Sequence, residues 1–283
     1  MLAPVVVLLL GLVIGPIVFV IDASLHRYNL FQVTEPRYVG LENFYYLFQS
    51  ETYQTSLVRS AVFTVTALSV ELILGFILAA WMFHLRHMPG MSIVRTALTT
   101  PILIAPVVAA IMWRYMYQPD FGIINYLLAL IGAPRIEWLS NPNIAIFSIA
   151  VIDIWQWTPF VFLVVLSGMY GIPTHIYEAA ELDGTNLFRR TFLITIPLLK
   201  RILIIVLLLR LIDLLRAFEI IIATTQGGPG DASYTLPVLI WETAFVNFEI
   251  GDAAAASIVL LVLVTALVTL LVRAVFRRGV IGG

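Results

Sequence analysis

The chain has 283 residues, of which 61% are hydrophobic and 12% are charged, and its formal net charge is −1. A soluble domain of this composition would expose large apolar areas to water, so the composition predicts a membrane protein. The absence of cysteine excludes disulfides, thiol nucleophiles and thiolate metal sites.

Six apolar segments are long enough to cross a hydrocarbon core of about 30 Å, which takes about 20 helical residues. Their continuous runs of Leu, Val, Ile and Ala favour helices over the alternating strands of a membrane barrel. We therefore predict an all-α membrane protein that forms one transmembrane domain over residues 1–283. The six spans are expected at residues 3–21, 57–83, 92–116, 144–170, 202–225 and 253–275.

Basic residues beside these spans indicate the orientation of the chain, because Lys and Arg are retained on the cytoplasmic side. With the N-terminus inside, the inner segments carry nine basic residues, whereas the outer segments and span ends carry five. This bias predicts that both termini are cytoplasmic. The first segment is interpreted as an uncleaved helix rather than a signal peptide, since its apolar run is long and no clear cleavage site follows it.

The largest inside loop, at about residues 172–200, holds nearly all of the longest charge-bearing stretch of the chain, IYEAAELDGTNLFRRTFLITIPLLKR at 176–201. Good helix formers predict a short helix over 176–182, and Gly184 is expected to end it in a left-handed conformation. Asn186 is placed to cap a second helical piece that runs to Pro197. The alanines give the short helix a flat face that another protein can approach closely.

This loop resembles the EAA loop of permease subunits of binding-protein-dependent ABC importers, although that family has Leu where this chain has Ile196. The matching positions are Glu178, Ala179, Ala180, Gly184, Ile194, Ile196 and Pro197. Further segments are similar to the carbohydrate branch of the family, the maltose and glycerol-3-phosphate type. They are YVGLENFYYLF, IWQWTPFVFLVVLSGMYGIP, TTQGGPGDASYTLPVLIWETAF and GDAAAASIVLLVLV, so that the resemblance extends over nearly the whole chain.

The resemblance implies a type I importer permease, the transmembrane subunit of an ATP-driven sugar importer, in the inner membrane of a bacterium or archaeon. The implied partners are a second homologous permease in a heterodimeric pair, two ATPase subunits, an external solute-binding protein and membrane lipid, but no nucleic acid. The loop would be the coupling helix that seats in the ATPase. Its implied contacts are Glu178, Ala179, Ala180, Asp183 and Gly184.

No enzymatic or cofactor site is expected in this chain. Its single lysine, Lys200, follows no glycine-rich run, so ATP and Mg are expected on the ATPase subunits rather than here. His84 and His87 have the only histidine spacing that suits a metal, and we interpret them as solvated.

Charged side chains inside the predicted spans are candidates for the transport pathway, because each is costly in a membrane. They are Glu71, Asp153, Arg210, Asp213, Arg216 and Glu219. The last four recur every three residues with alternating sign, which predicts either a neutralised ladder on the fifth helix or a pore lining.

An aromatic cluster follows Asp153 and suits a saccharide, which would make it part of the pathway. It consists of Trp155, Gln156, Trp157, Pro159 and Phe160, and the first three are the candidates for the pathway. Sugar rings stack their C–H faces on indoles, and their hydroxyls need amide or carboxylate partners.

An ion-coupled secondary transporter remains an alternative at this point. Its proton or cation sites would be the buried carboxylates of Glu71, Asp153 and Asp213. Inverted repeats would support this alternative, and none is visible in the six segments. On the outer side we expect a tight turn at QGGPGDAS and a short helix at Leu236–Phe245. Segment 22–55 is expected to pack over the mouth of the pathway.

Overall fold

The computed structural model describes residues 3–31 and 35–276, and most of these residues are helical. The chain divides into two units. The first comprises the described parts of Met1–Ala61 and Gln226–Gly283, and the second comprises Val62–Thr225. The helices and strands, in chain order, are α1 (Ala3–Ser24), β1 (His26–Arg27), β2 (Arg37–Tyr38), α2 (Glu42–Gln49), α3 (Glu51–His84), α4 (Met91–Thr99), α5 (Pro106–Met116), α6 (Ile123–Leu130), α7 (Ala145–Tyr170), α8 (Thr174–Leu182), α9 (Leu187–Arg190), α10 (Ile196–Leu215), α11 (Glu219–Thr224), α12 (Leu236–Phe245) and α13 (Ile250–Phe276).

The first unit is built on α13, against which α1, α2 and α12 pack. Strands β1 and β2 form a short antiparallel ribbon. The buried Asn43 links α2 to the end of α1 and to β1, because its Nδ2 donates to the carbonyl oxygens of Ser24 at 2.9 Å and His26 at 3.0 Å. On α3, the Oγ of Ser60 accepts a hydrogen bond from the N–H of Leu236 at 2.8 Å, which satisfies a first-turn donor of α12.

The second unit has α7 as its central helix, and α7 is apolar and buried on most of its circumference. Two glycines bring the helices around it close together. Gly75 of α3 lies against Val161 of α7, and Gly168 of α7 lies against Ile202 of α10; at both, an added Cβ would lie 2.6 Å from a neighbouring side chain. Small residues at such crossings let membrane helices pack tightly. The resulting core joins α3, α7 and α10 around Phe162.

Four helices of the described residues are long and apolar enough to cross a membrane: Glu51–His84, Ala145–Tyr170, Phe188–Leu215 and Ile250–Arg273. A bent pair of helices adds a fifth candidate. The predicted all-α class is confirmed, but the described residues give four or five such spans where the sequence predicted six. The first predicted span coincides with α1, of which Leu10–Ser24 is a shorter apolar helix.

The third predicted span, at 92–116, is wrong as one continuous helix. The chain instead forms Met91–Leu103, which includes a 3-10 turn, and Pro106–Met116, and these pieces meet at 98°. Pro106 explains the break, because the residue before a proline is disfavoured in the helical conformation. Ala105 accordingly has an extended backbone, with φ −61° and ψ 139°.

The fifth predicted span, at 202–225, is wrong at both ends. The helix begins before residue 202, because a π-helical turn at Thr191–Thr195 connects α9 directly to α10. Helix α10 starts at Ile196 and includes Pro197 in its first turn. A wider turn relieves the clash that a proline makes with the carbonyl group four residues before it. The helix ends at Leu215, and α11 follows as a separate short helix.

Candidate functional sites: an exposed loop and a buried ion cluster

The EAA-like loop forms the short helix that the sequence predicts. Helix α8 covers the predicted 176–182 and begins two residues earlier, directly after Pro173. Gly184 ends it with φ +71°, a conformation that favours glycine. The N–H of Gly184 donates to the carbonyl of Glu181 at 3.0 Å, and the N–H of Thr185 donates to the carbonyl of Ala180 at 3.1 Å. These bonds satisfy the final carbonyl groups of the helix.

The second helical piece of the loop is capped as predicted. The Oδ1 of Asn186 accepts a hydrogen bond from the N–H of Arg189 at 2.8 Å, at the start of α9. Helix α8 is also fastened to its surroundings by Tyr177. The Tyr177 hydroxyl lies 3.2 Å from the Oγ1 of Thr195, and its ring packs against Phe83 of α3. The loop is therefore held by contacts to both α3 and the π-helical turn.

The exposed face of α8 differs from the predicted alanine face. Ala180 is only 6% exposed, so its side chain packs within this chain and the prediction of an outward Ala180 is wrong. Glu178, Ala179, Asp183 and Gly184 are exposed.

Sequence reasoning missed two large apolar residues beside this face. Leu182 is 90% exposed and Phe188 is 68% exposed. The signal for Leu182 is its position four residues after Glu178, which places both on one side of the helix. The exposed surface of the loop is therefore mixed, with carboxylates and large apolar side chains, and the Phe188 ring packs against Phe192 with ring centres 4.4 Å apart.

A second charged site lies in the core of the second unit and joins three helices. Arg210 of α10 is 1% exposed, Glu71 of α3 is 0% exposed and Asp153 of α7 is 6% exposed. The Nε and Nη2 of Arg210 donate to the two carboxylate oxygens of Glu71 at 2.7 and 3.0 Å. Its Nη2 also donates to Oδ2 of Asp153 at 2.6 Å, and its guanidinium lies 4.7 Å from the centre of the Trp157 ring. Such bidentate, charge-assisted bonds are the strong class of protein hydrogen bonds.

The predicted ladder on the fifth helix is wrong, because that helix ends before the ladder is complete. Arg210 lies 3.7 Å from the exposed Asp213, which is the one ladder contact present. Arg216 follows the last residue of α10, and Glu219 begins α11. Within residues 3–31 and 35–276, neither Arg216 nor Glu219 forms an ion pair. The main partners of Arg210 come instead from α3 and α7.

The aromatic cluster on α7 is divided between two surroundings. Trp157 faces Arg210, whereas Trp155 packs against Trp113 of α5, with ring centres 5.6 Å apart. Gln156 is buried, and its Nε2 donates to the carbonyl of Ile104 at 2.6 Å, at the break of the third span. In the part of the chain that the structure describes, the Oε1 of Gln156 and the Nε1 of Trp113 are buried without a hydrogen-bond partner.

The geometry disfavours the ion-coupled alternative, because Glu71 and Asp153 are both bound to Arg210, and the third candidate, Asp213, is exposed and lies 3.7 Å from the same guanidinium. The described residues also contain no group of three or more His, Asp or Glu side chains that could hold a metal ion. The second unit thus contains a closed ion cluster and an exposed loop that is hydrogen-bonded to its surroundings at Tyr177.

This fold is shared with membrane subunits of ABC importers. A chain in the crystal structure of a bacterial alginate ABC transporter, in complex with alginate pentasaccharide-bound periplasmic protein, superposes with a TM-score of 0.85. The two chains are 23% identical, and the match covers 96% of this chain and 91% of the other. A second structure of a bacterial transporter for alginate import gives the same TM-score at 22% identity.

Sequence comparison identifies the family. Residues 71–282 match the family described as binding-protein-dependent transport system inner membrane component, and the chain belongs to this family. It is 35% identical to the trehalose/maltose transport system permease protein MalF of Thermococcus litoralis, with 93% of this chain and 88% of the relative covered. It is 32% identical to the sn-glycerol-3-phosphate permease UgpA of Yersinia pestis and 30% identical to the trehalose permease SugA of Mycobacterium tuberculosis, over 85% and 92% of this chain.

The predicted resemblance to ABC importer permeases is therefore confirmed. The chain is an inner-membrane component of a transport system and not an enzyme.

Proposed function

We propose that the chain is the transmembrane subunit of an ATP-driven sugar importer, in which one permease domain over residues 1–283 forms half of the translocation pathway. The observation that carries this proposal is the loop at 172–200, whose short helix α8 is exposed, capped at its end and anchored at Tyr177. A membrane subunit that has no nucleotide site must receive the free energy of ATP hydrolysis from another subunit. An exposed, anchored helix provides a surface through which that subunit can act. A rigid anchor lets displacement of α8 move α3 and α10 with it.

The contacts with the ATPase are proposed to be Glu178, Ala179, Asp183 and Gly184, which are exposed. Ala180 belongs to the same loop, but its burial gives it the role of seating α8 on this chain rather than touching the ATPase. Leu182 is added to the contact set, because an exposed leucine beside a carboxylate suits a mixed protein interface.

A carbohydrate is the proposed substrate. Three relatives are named as permeases for trehalose and maltose, trehalose, or sn-glycerol-3-phosphate. Two polar atoms are unpartnered within the described residues, the Nε1 of Trp113, whose ring packs on Trp155, and the Oε1 of Gln156, which follows Trp155 in the chain; they supply one donor and one acceptor for hydroxyl groups. Indole rings beside them supply stacking surfaces.

The charged candidates for the pathway separate into two groups under this proposal. Asp213, Arg216 and Glu219 are exposed and accessible to substrate or the partner permease, and Asp213 in addition lies 3.7 Å from Arg210. Asp153, Arg210 and Trp157 instead hold α7 and α10 together, since their charged groups are already matched.

The proposed assembly contains a second homologous permease in a heterodimeric pair, two ATPase subunits that bind ATP and Mg, and an external solute-binding protein. The binding protein is supported by the family description and by the alginate transporter, whose structure includes a periplasmic protein. Both termini are proposed to be cytoplasmic, in line with the nine basic residues of the inner segments.

Transport in proteoliposomes tests the proposal. The chain, purified with its co-expressed partner subunits, is reconstituted with ATP inside or outside, and uptake of radiolabelled maltose, trehalose and glycerol-3-phosphate is measured with the binding protein present. We expect uptake of maltose or trehalose, and only when ATP reaches the ATPase side. Uptake that follows a proton gradient without ATP would overturn the ATP-driven reading, and ATP-dependent uptake of glycerol-3-phosphate alone would overturn the carbohydrate assignment in favour of a polyol phosphate.

A further inference from the structure

Helix α6 has an inverted pattern of burial, because its exposed side is apolar and a polar side chain lies on its buried side. The exposed residues recur at intervals of three and four, which places them along one face of the helix. They are Ile123, Tyr126, Leu127 and Leu130, and Ile131 continues the face beyond the last residue of the helix. Residues 121–134 contain no charged side chain. Such a face is unfavourable in water, so it requires an apolar environment.

Asn125 holds the opposite side of α6 against its own chain and is only 7% exposed. Its Nδ2 donates to the carbonyl oxygens of Ile136 at 2.9 Å and Pro119 at 3.3 Å. Its Oδ1 accepts from the Nε1 of Trp138 at 3.1 Å and from the N–H of Ile136 at 3.3 Å. Helix α6 therefore cannot turn its apolar face inward without breaking these four hydrogen bonds.

The same contacts fix the level of α6 relative to the neighbouring membrane helices. The ring of Trp138 lies 5.4 Å from that of Tyr117, whose hydroxyl donates to the carbonyl of Ser148 at 3.1 Å. Ser148 belongs to the first turn of α7, a candidate membrane span. At the other end of α6, Gly122 lies so close to the carbonyl oxygen of Met116, the last residue of α5, that no side chain would fit there. Helix α6 is thus held at the level where α5 ends and α7 begins.

We propose that α6 is an interfacial helix, whose apolar face lies in the lipid bilayer at the boundary between headgroups and acyl chains. The ends of membrane helices lie at this depth, and amphipathic helices there bury their apolar faces by about 5–10 Å. Tyr126 suits the position, because aromatic residues are enriched at membrane interfaces. Asp120 and Arg135 flank the uncharged segment, and they are exposed and paired at 2.6 Å, as expected for charges that stay on the water side.

The size and composition of the face favour lipid over a protein as its occupant. An eight-residue helix is about 12 Å long, whereas a stable protein interface buries about 800 Å² on each partner. A solute-binding protein that binds and dissociates would also return a wholly apolar face to water in every cycle, and such transient interfaces are as polar as ordinary protein surface. The inference depends on neither the transported substrate nor the ATPase.

Spin labelling of the complete complex in lipid nanodiscs tests the proposal. The chain has no cysteine, so Leu127→Cys and Leu130→Cys, made separately and combined with cysteine-free partner subunits, each give one site for a nitroxide label. Collision of the label with oxygen, which concentrates in lipid, and with a water-soluble nickel chelate is measured by electron paramagnetic resonance. At both sites we expect the ratio of oxygen to nickel collisions to be severalfold higher than at the control. The control is Glu137→Cys, an exposed position in the same loop beyond Arg135.

The other possible surroundings give different results. A label that collides freely with the nickel chelate at both sites would show that the face lies in water, and the proposal would be wrong. A label that collides with neither reagent would show that another subunit covers the face, which would also overturn it. Equal ratios with and without the solute-binding protein are expected, whereas protection from both reagents only when that protein is added would assign the face to the binding protein instead of lipid.

Discussion

The buried ion cluster and the exposed loop carry charges of both signs within the same unit, but they use them in opposite ways. In the cluster, Arg210 closes on Glu71 and Asp153, and all three are almost fully buried. In the loop, Glu178 and Asp183 are exposed and form no ion pair within the described residues. Inside a membrane no water is available to solvate an unmatched charge, so the cluster must be complete in this chain. At the loop, water solvates the charges, and under the proposed function the ATPase would replace this water.

The largest effect is expected from Arg210→Met. This change leaves Glu71 and Asp153 buried without their cation, and removal of one partner of a buried ion pair costs about 3–5 kcal/mol. The yield of assembled complex and its unfolding temperature in detergent should both fall. The control, Arg216→Met, removes an exposed arginine that forms no ion pair within the described residues, and it should change stability by less than about 0.5 kcal/mol. Equal behaviour of the two variants would mean that the cluster does not hold the helices together.

The two carboxylates of the cluster should differ in importance. Glu71 accepts two hydrogen bonds from Arg210, whereas Asp153 accepts one. We expect Glu71→Gln to destabilise the complex by about 2–3 kcal/mol and Asp153→Asn by about 1–2 kcal/mol, because a hydrogen bond to a charged group contributes about 1.5–3 kcal/mol. Thermal unfolding of the assembled complex measures both. The reverse order would contradict the bidentate geometry.

The loop should respond to backbone strain without loss of the membrane core. Gly184→Val places a β-branched residue at φ +71°, which costs about 1–3 kcal/mol locally and should shift α8 out of register with its partner. Gly184→Asn is the matched control, because asparagine tolerates this conformation. We expect Gly184→Val to insert and assemble its core normally while uptake in proteoliposomes falls and ATP hydrolysis is uncoupled from it. Wild-type uptake by Gly184→Val would show that the loop is only a connector.

The smallest effect is expected from reversing one exposed charge. Glu178→Lys should weaken docking of the ATPase by about 1 kcal/mol or less at physiological salt, and the loss should shrink further as salt rises. Co-purification of the ATPase at two ionic strengths measures this change. Glu137→Lys makes the same reversal at an exposed position outside the loop and should have no such effect. A loss that does not depend on salt would point to altered packing of α8 rather than to charge.

Several features followed from local sequence alone. The helical class, the span at 144–170, the short helix α12 and the glycine turn after α8 all depend on composition, propensity or the conformational freedom of one residue. The cap at Asn186 is equally local, since its acceptor and donor lie three residues apart. For these features, the residues that determine the local structure lie within a few helical turns of one another in the sequence.

The departures from prediction have longer-range causes. The break at Ala105–Pro106 was encoded locally by proline, but hydropathy alone hides it because both pieces are apolar. Ala180 was predicted to face outward because alanine suits both a surface and a core, and only the position of the neighbouring helices decides between them. The charge ladder failed because regular spacing was extended beyond the residue at which α10 ends.

The sequence by itself determined that this chain is a helical membrane protein with the loop of an importer permease, because apolar run length and short motifs are properties of neighbouring residues. Only the tertiary structure decided which charges meet. Glu71 and Arg210 are 139 residues apart, and Asp153 and Arg210 are 57 apart. Their pairing depends on how α3, α7 and α10 pack, and the need to satisfy every charge inside the membrane then selects these partners over the nearer residues of the same helix.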